Sequence, residues 1–234
     1  MPDVSALLTL VDACRTGTLP TPEPPTDGRV ARSYHTNELL VRAVLEIVER
    51  DGHLRPTASQ VARRAGVSRR ALYVHFETIE ELIATAIERR SVEVCTEWKP
   101  QSLDAPLDRR VVGFCRQWSQ LSEALVPLRR ATAVHEPFSP EVGSVRQHTR
   151  QWARAVVDQA FAPELDPLPE HERERLTRAL HHATSWSAWD ELRMQGADID
   201  TACEAMRRLI AAVLTPGEDA SWPGAPELPS TSVA

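Results

Sequence analysis

Between residues 57 and 82 the chain leaves its backbone few choices. Thr57 is followed three positions later by Gln60, the spacing of a capping box, in which each side chain satisfies the other's orphan amide. Gly66 permits the left-handed residue that stops a helix, and Ser68 opens the next one. Thr78 with Glu81 repeats the capping-box spacing for a third start. Inward positions follow at helical intervals: Val61, Ala62 and Ala65; then Ala71, Leu72 and Phe76; then Leu82, Ile83, Ala86, Ile87 and Val94. Short capped helices separated by one glycine turn can pack only as a tight helical unit.

The rest of the chain extends this all-α reading, since no stretch alternates convincingly with strand periodicity. A helix is expected over about 36–51, capped by Thr36 or Asn37 and closed by Asp51-Gly52, with Leu39, Leu40, Ala43, Val44, Ile47 and Val48 on its apolar stripe. Arg55 precedes Pro56 and should be extended. Further helices are expected near 104–124, 126–135, 140–162, 170–195 and 198–214, with prolines such as Pro127, Pro140 and Pro169 at the breaks. At the N-terminus, Val4, Leu7, Leu8, Val11 and Cys14 fit a short amphipathic helix, followed by a proline-rich linker over 17–28 and a flexible basic arm carrying Arg29 and Arg32. The expected division is therefore an extension over 1–35, a helix-turn-helix domain over 36–95, a helical ligand-binding and dimerisation bundle over 96–215, and a disordered tail over 216–234.

Charge is divided along the same lines. The whole chain carries −6, yet residues 27–76 hold nine arginines against five acids, or +4, which leaves −10 for the remainder. A basic unit on an acidic chain can meet phosphate locally. In that unit Ser68, Arg69 and Arg70 open the helix after the glycine turn, where a major-groove helix presents its first residues to base edges and its amides favour anions. Tyr73 and His75 lie further along, within reach of flanking phosphates, and the Thr57 hydroxyl is a further phosphate donor. Plainer readings stand beside these: Thr57 and Ser68 as caps alone, Tyr73 and His75 as packing residues, and the arginines as a solvated face.

The run Ala-Gly-Val-Ser at 65–68, Leu-Tyr-x-His-Phe at 72–76 and Glu-Glu-Leu at 80–82 resembles the DNA-binding domain of the TetR (tetracycline-repressor) family of transcriptional regulators, over about 36–95. The resemblance implies that Arg69, Arg70 and Tyr73 face the groove and that Thr57, Ser68 and His75 hold phosphates. It also implies that the fourth helix links this domain to a ligand domain. One position departs from the family pattern: Ile79 stands where relatives usually carry a phosphate-contacting lysine. Arg29 and Arg32 are expected to compensate from the minor groove.

In the acidic half, Phe114 and Trp118 share one helical face and His148 and Trp152 another, with Trp98 and Trp186 nearby. They are candidates for an effector pocket, or else ordinary core aromatics. The expected effector is a largely apolar small molecule, and the acidic bundle tilts weakly away from anions. The stretch from Ala179 to Arg193 also resembles C-terminal domains of the same family, which implies a homodimer built by the last two long helices. Leu180, Ala183, Trp189, Met206, Leu209 and Val213 are its expected interface.

These observations favour a dimeric repressor that binds a near-palindromic double-stranded operator and is released by a small molecule. A constitutive DNA-binding regulator or interaction adaptor is the alternative. An enzyme is disfavoured: there is no phosphate-binding glycine loop or nucleophile elbow, and His171-Glu172 lacks the second histidine of a zinc-binding helix. Cys14, Cys95, Cys115 and Cys203 form no C-x-x-C pair, so neither a metal nor a cofactor is expected, and buried free thiols are favoured over redox sensing. No apolar run approaches the roughly 18 residues of a membrane span, and no signal-peptide pattern opens the chain. A cytoplasmic protein without membrane contact is the expectation.

Overall fold

The structure is a computed structural model that describes residues 28–215. The expected helix at 4–15, the tail from 216 and all of the expected linker over 17–28 but Gly28, which is helical, lie outside the described residues. Within them every regular element is helical, and no helix is long and apolar enough to cross a membrane.

The N-terminal unit comprises α1 (Gly28–Glu49), α2 (Ala58–Ala65), α3 (Arg69–His75) and α4 (Ile79–Thr96). α1 begins earlier than the sequence pattern suggests, so the expected arm over 29–35 is helical and the expected boundary at 35 falls inside α1. The reason lies in two side chains. Thr36 donates its hydroxyl to the Arg32 carbonyl at 3.1 Å, bonding back along the helix instead of capping it. Asn37, the other expected cap, accepts from Arg89 of α4 at 2.9 Å. The core of α1 is Leu40, Val41, Ala43, Val44, Ile47 and Val48, all buried, and Gly52 takes the left-handed conformation just beyond its end.

The larger unit comprises α5 (Leu107–His135), a 3₁₀ turn (Glu136–Phe138), α6 (Pro140–Ala160), α7 (Ala162–Leu165), α8 (Glu170–Ala183), α9 (Trp186–Met194) and α10 (Ile199–Leu214). Two expectations fail here for clear physical reasons. Pro127 does not divide 104–135; α5 runs through it. A mid-helix proline costs about 3 kcal/mol, but Leu121, Leu125, Leu128 and Ala131 form one buried stripe across it, and tertiary burial outweighs the lost hydrogen bond. Conversely 170–195 is not one helix. Ser185 caps α9 by accepting from the Ala188 amide at 3.2 Å, and the Thr184 carbonyl just before it accepts from the Trp118 indole at 2.8 Å.

α4 packs against α1, α5 and α6, so it is common to both units, while α10 lies on α5 and α8. Arg110 of α5 is buried and donates to the Ala105 carbonyl at 2.9 Å, to the Ala160 carbonyl at 2.8 Å and to the Glu164 carboxylate. That one side chain ties the loop before α5 to the end of α6 and to α7.

Candidate nucleic-acid interface

The caps read from sequence form, with one variation. The Thr57 hydroxyl accepts from the Gln60 amide at 3.3 Å, while Gln60 accepts from the Thr57 amide at 2.8 Å. The Thr57 hydroxyl also donates to Gln60 Oε1 at 2.8 Å. Its proton is therefore engaged within the box, and a phosphate would have to take it from Gln60. Gly66 sits at φ +70° with open space where a Cβ would be. Ser68 accepts from the Ala71 amide at 3.0 Å, which leaves its own proton free of that bond. At the third start, Thr78 accepts from the Glu81 amide at 3.0 Å, but Glu81 reaches past it to the Glu77 amide at 2.7 Å, so only half of the expected box is present.

α3 is only seven residues long, too short to stand alone. Leu72 and Phe76 are buried and pin it to the core. That anchoring turns Arg69, Arg70, Tyr73 and Val74 outward, while His75 is half-buried. Arg55, Thr57, Arg69 and Tyr73 line one concavity of about 330 Å³, together with Ile79 and Glu80. Ile79 thus faces the same hollow as the candidate phosphate donors, and Glu80 partly offsets their charge.

Arg64 bridges Asp51 and Glu46, fastening the end of α2 to α1. The Asp51 carboxylate holds its pKa above the ordinary arginine value. Arg32 is exposed on α1. A minor-groove arm must be extended chain, and helical hydrogen bonding keeps this segment from that conformation, so the expected arm is corrected to a helical start. The Arg29 side chain lies outside the described side chains.

A second contact joins this unit to the bundle and was not read from sequence. The His135 ring at the end of α5 lies 3.0 Å from the Leu54 carbonyl through Nε2. The Arg55 guanidinium stacks over Phe138 at 5.4 Å. Burial, opposed by the bond to Leu54, pushes the His135 pKa down, which favours a neutral ring that donates from Nε2. A lone histidine before Pro137 carries no sequence signal for such a role.

The six candidate pocket residues do not assemble around one hollow. Phe114, Trp118 and Trp152 are buried and fill the core as a stack. Phe114 lies 5.1 Å from Trp118, and Trp118 lies 6.1 Å from Trp152 at an interplanar angle of 4°. Trp98 meets Phe114 edge-on at 5.4 Å. These four favour the plainer reading as core aromatics. Trp186 instead lines a separate cavity of about 60 Å³ between α4, α5, α6 and α9. His148 is half-buried, and its Nδ1 has no hydrogen-bond partner.

The expected dimer residues divide similarly. Leu180, Ala183, Trp189 and Met206 are buried within the protomer, and Trp189 donates to Glu123 at 2.8 Å. They serve the chain's own core, in which α9 and α10 close on α5 and α8 closes on α10 and α6. Leu209 is exposed and Val213 half-buried, so these two remain available to a partner. Cys95 and Cys115 are buried and Cys203 half-buried. Burial pushes the Cys115 thiol up to about 12, leaving it protonated and unreactive.

Residues 40–86 match the family described as bacterial regulatory proteins, tetR family. No curated protein matches the chain. Among solved structures, the crystal structure of a transcriptional regulator from Rhodococcus sp. Rha1 is similar in fold. It has 20% identity and a TM-score of 0.61, and the likeness covers 76% of this chain and 95% of that one.

Proposed function

We propose, from the match of residues 40–86 to the tetR family of bacterial regulatory proteins, that the chain is a member of that family and a dimeric repressor acting on a near-palindromic operator in the cytoplasm. Helices α1 to α4 form the reading domain and α5 to α10 the effector and dimerisation domain. Arg69, Arg70 and Tyr73 meet base edges and flanking phosphates, with Ser68 as a phosphate donor. Thr57 and His75 assist from the rim. Leu209 and Val213 contribute to the twofold contact. An effector held in the bundle favours a form whose two reading helices are wrongly spaced. Operator and effector then weaken each other by the same factor.

The observation that carries this reading is the pairing of buried Leu72 and Phe76 with exposed Arg69, Arg70 and Tyr73 on one short helix. The hydrophobic residues fix a helix whose outward side is turned to solvent. The packed aromatic core favours the second reading, a constitutive regulator, unless another cavity takes the effector.

The test is selection of an operator from random duplexes, followed by anisotropy titrations at two salt concentrations. Alanine at Arg69 or Arg70 should lower operator affinity by about 1–3 kcal/mol and relax preference at one base pair. Alanine at Ser68 should weaken all sequences alike. Selection that returns no enriched sequence, or arginine variants that bind like the parent, would refute the assignment.

A further inference from the structure

The small cavity beside Trp186 is built unlike the rest of the core. Ile87, Leu128 and Val145 supply apolar wall, and Arg129 reaches the same space from α5. Among the described residues Arg129 makes no hydrogen bond and no ion pair. The nearby arginines do not relieve it: Arg146 is engaged by Glu136, and Arg146 and Arg150 both add positive potential. Burial pushes the Arg129 guanidinium down to about 10, so it stays charged at neutral pH. Of the hydroxyls lining the cavity, those of Thr132 and Thr149 are committed elsewhere, while Ser91 also lines it. Thr132 and Thr149 each donate to their own helix, to the Leu128 and Val145 carbonyls at 2.8 and 2.9 Å.

A second donor stands there unused. The Trp186 indole Nε1 is buried without a hydrogen-bond partner. An indole N–H can only donate, and a guanidinium has five donors and no acceptor. Two donors on the wall of one cavity lack the same thing, an acceptor: the Trp186 N–H is buried, and the half-buried Arg129 guanidinium has no counter-charge.

We propose that this cavity is the effector site and that it takes a small monocarboxylate, with the carboxylate on Arg129 and the Trp186 N–H and its hydrocarbon part against Ile87, Leu128 and Val145. This rests on the effector reading above and names the chemical class of the ligand. A carboxylate has two acceptor oxygens and one charge, matching the two idle donors and the cation. The cavity's size and apolar wall exclude a phosphorylated sugar or a nucleotide. Because α4 contributes Ile87 and also begins at Ile79 beside the reading helix, occupancy bears directly on the element shared by both domains.

The experiment uses the full chain. Thermal unfolding and tryptophan fluorescence are followed with sodium acetate, butyrate, hexanoate and benzoate, each against sodium chloride and sodium phosphate at equal ionic strength. Butyramide, hexanamide and benzamide serve as uncharged counterparts. At least one carboxylate should raise Tm saturably and change the fluorescence, while chloride, phosphate and the matching amide do not. Arg129→Met should abolish the response, and Trp186→Phe should weaken it by roughly tenfold, the scale of one hydrogen bond to a charged group. The amide comparison needs no variant, so it holds even if Arg129→Met folds poorly. No carboxylate response beyond chloride, an equal response to phosphate or amide, or an undiminished response in a folded Arg129→Met protein would each overturn the proposal. Operator affinity without carboxylate is measured in parallel. Its loss counts against the DNA-binding reading and leaves the site untouched, whereas carboxylate binding that leaves operator affinity unchanged overturns the effector role.

Discussion

Replacing Arg110 by methionine should be among the most damaging single changes in the bundle. The arginine side chain is 4% exposed and its partner Glu164 20%. Methionine keeps most of the packing but removes every donor. The Ala105 and Ala160 carbonyls, now held at 2.9 and 2.8 Å, lose their partners. Each abandoned buried acceptor costs about 1–3 kcal/mol. The Glu164 carboxylate also loses its counter-charge, although its partial exposure lets water recover some of that. Its other oxygen already has no partner. The total is about 3–5 kcal/mol, the range for breaking one side of a buried pair, and it would take a large share of the roughly 5–15 kcal/mol that holds a typical protein folded. Glu164→Gln should cost less than half as much, because Arg110 keeps both carbonyls and the amide oxygen still accepts. Urea unfolding of the two single variants and the double variant gives the coupling directly, expected to be at least about 1 kcal/mol. If Arg110→Met costs under about 1 kcal/mol, or Glu164→Gln costs as much as Arg110→Met, the carbonyls are not what the arginine sustains, and the reasoning fails.

Other outcomes follow from the reading domain. Leu72→Ala should destabilise it by about 2–5 kcal/mol, seen as an early unfolding transition by circular dichroism; a loss below 1 kcal/mol would mean α3 is held some other way. Thr57→Ala should cost about 1 kcal/mol through the capping box, with Gln60→Ala lower, both measured by chemical denaturation. Gly66→Ala meets no atom, so its cost should be only that of a left-handed residue, about 1–2 kcal/mol. His135 has a folded pKa below the ordinary 6.5, so the unfolded chain binds its proton first. Stability should fall as pH drops from about 6.5 toward the folded value and then level off, and His135→Phe should flatten that segment of the stability–pH curve.

The short-range signals were legible in sequence and the long-range ones were not. Thr57, Gly66 and Ser68 act through bonds to residues three or four positions away, so their spacing already contained the geometry. Leu72 and Phe76 were equally readable, because a helix of known register has only one inward face. Pro127 and the Thr184–Ser185 break depart from the sequence expectation for the opposite reason. Whether a proline is tolerated depends on what covers Leu125 and Leu128, and whether α8 stops depends on an indole arriving from Trp118. The aromatic residues proposed for a pocket were apolar enough to be the core itself. Arg129 carries no sequence signal, because an arginine within an amphipathic helix looks solvated until its neighbours are known. The acidic balance of the bundle points away from anions, but net charge sums the whole surface and says nothing of a single half-buried guanidinium on a cavity wall.

The contact between His135 and Leu54 gives α5 a mechanical consequence. With 29 residues, α5 is a rod of roughly 44 Å. Its far tip presses on the loop that leads into α2. Pivoted at its start, a tilt of about 5° would carry that tip by roughly 4 Å, about one base-pair step along a duplex axis at ~3.4 Å. The rod thus magnifies a displacement too small to disturb packing near its pivot. Two such rods moving oppositely in a twofold assembly would change the spacing between their tips by up to twice that, roughly 8 Å or about two steps.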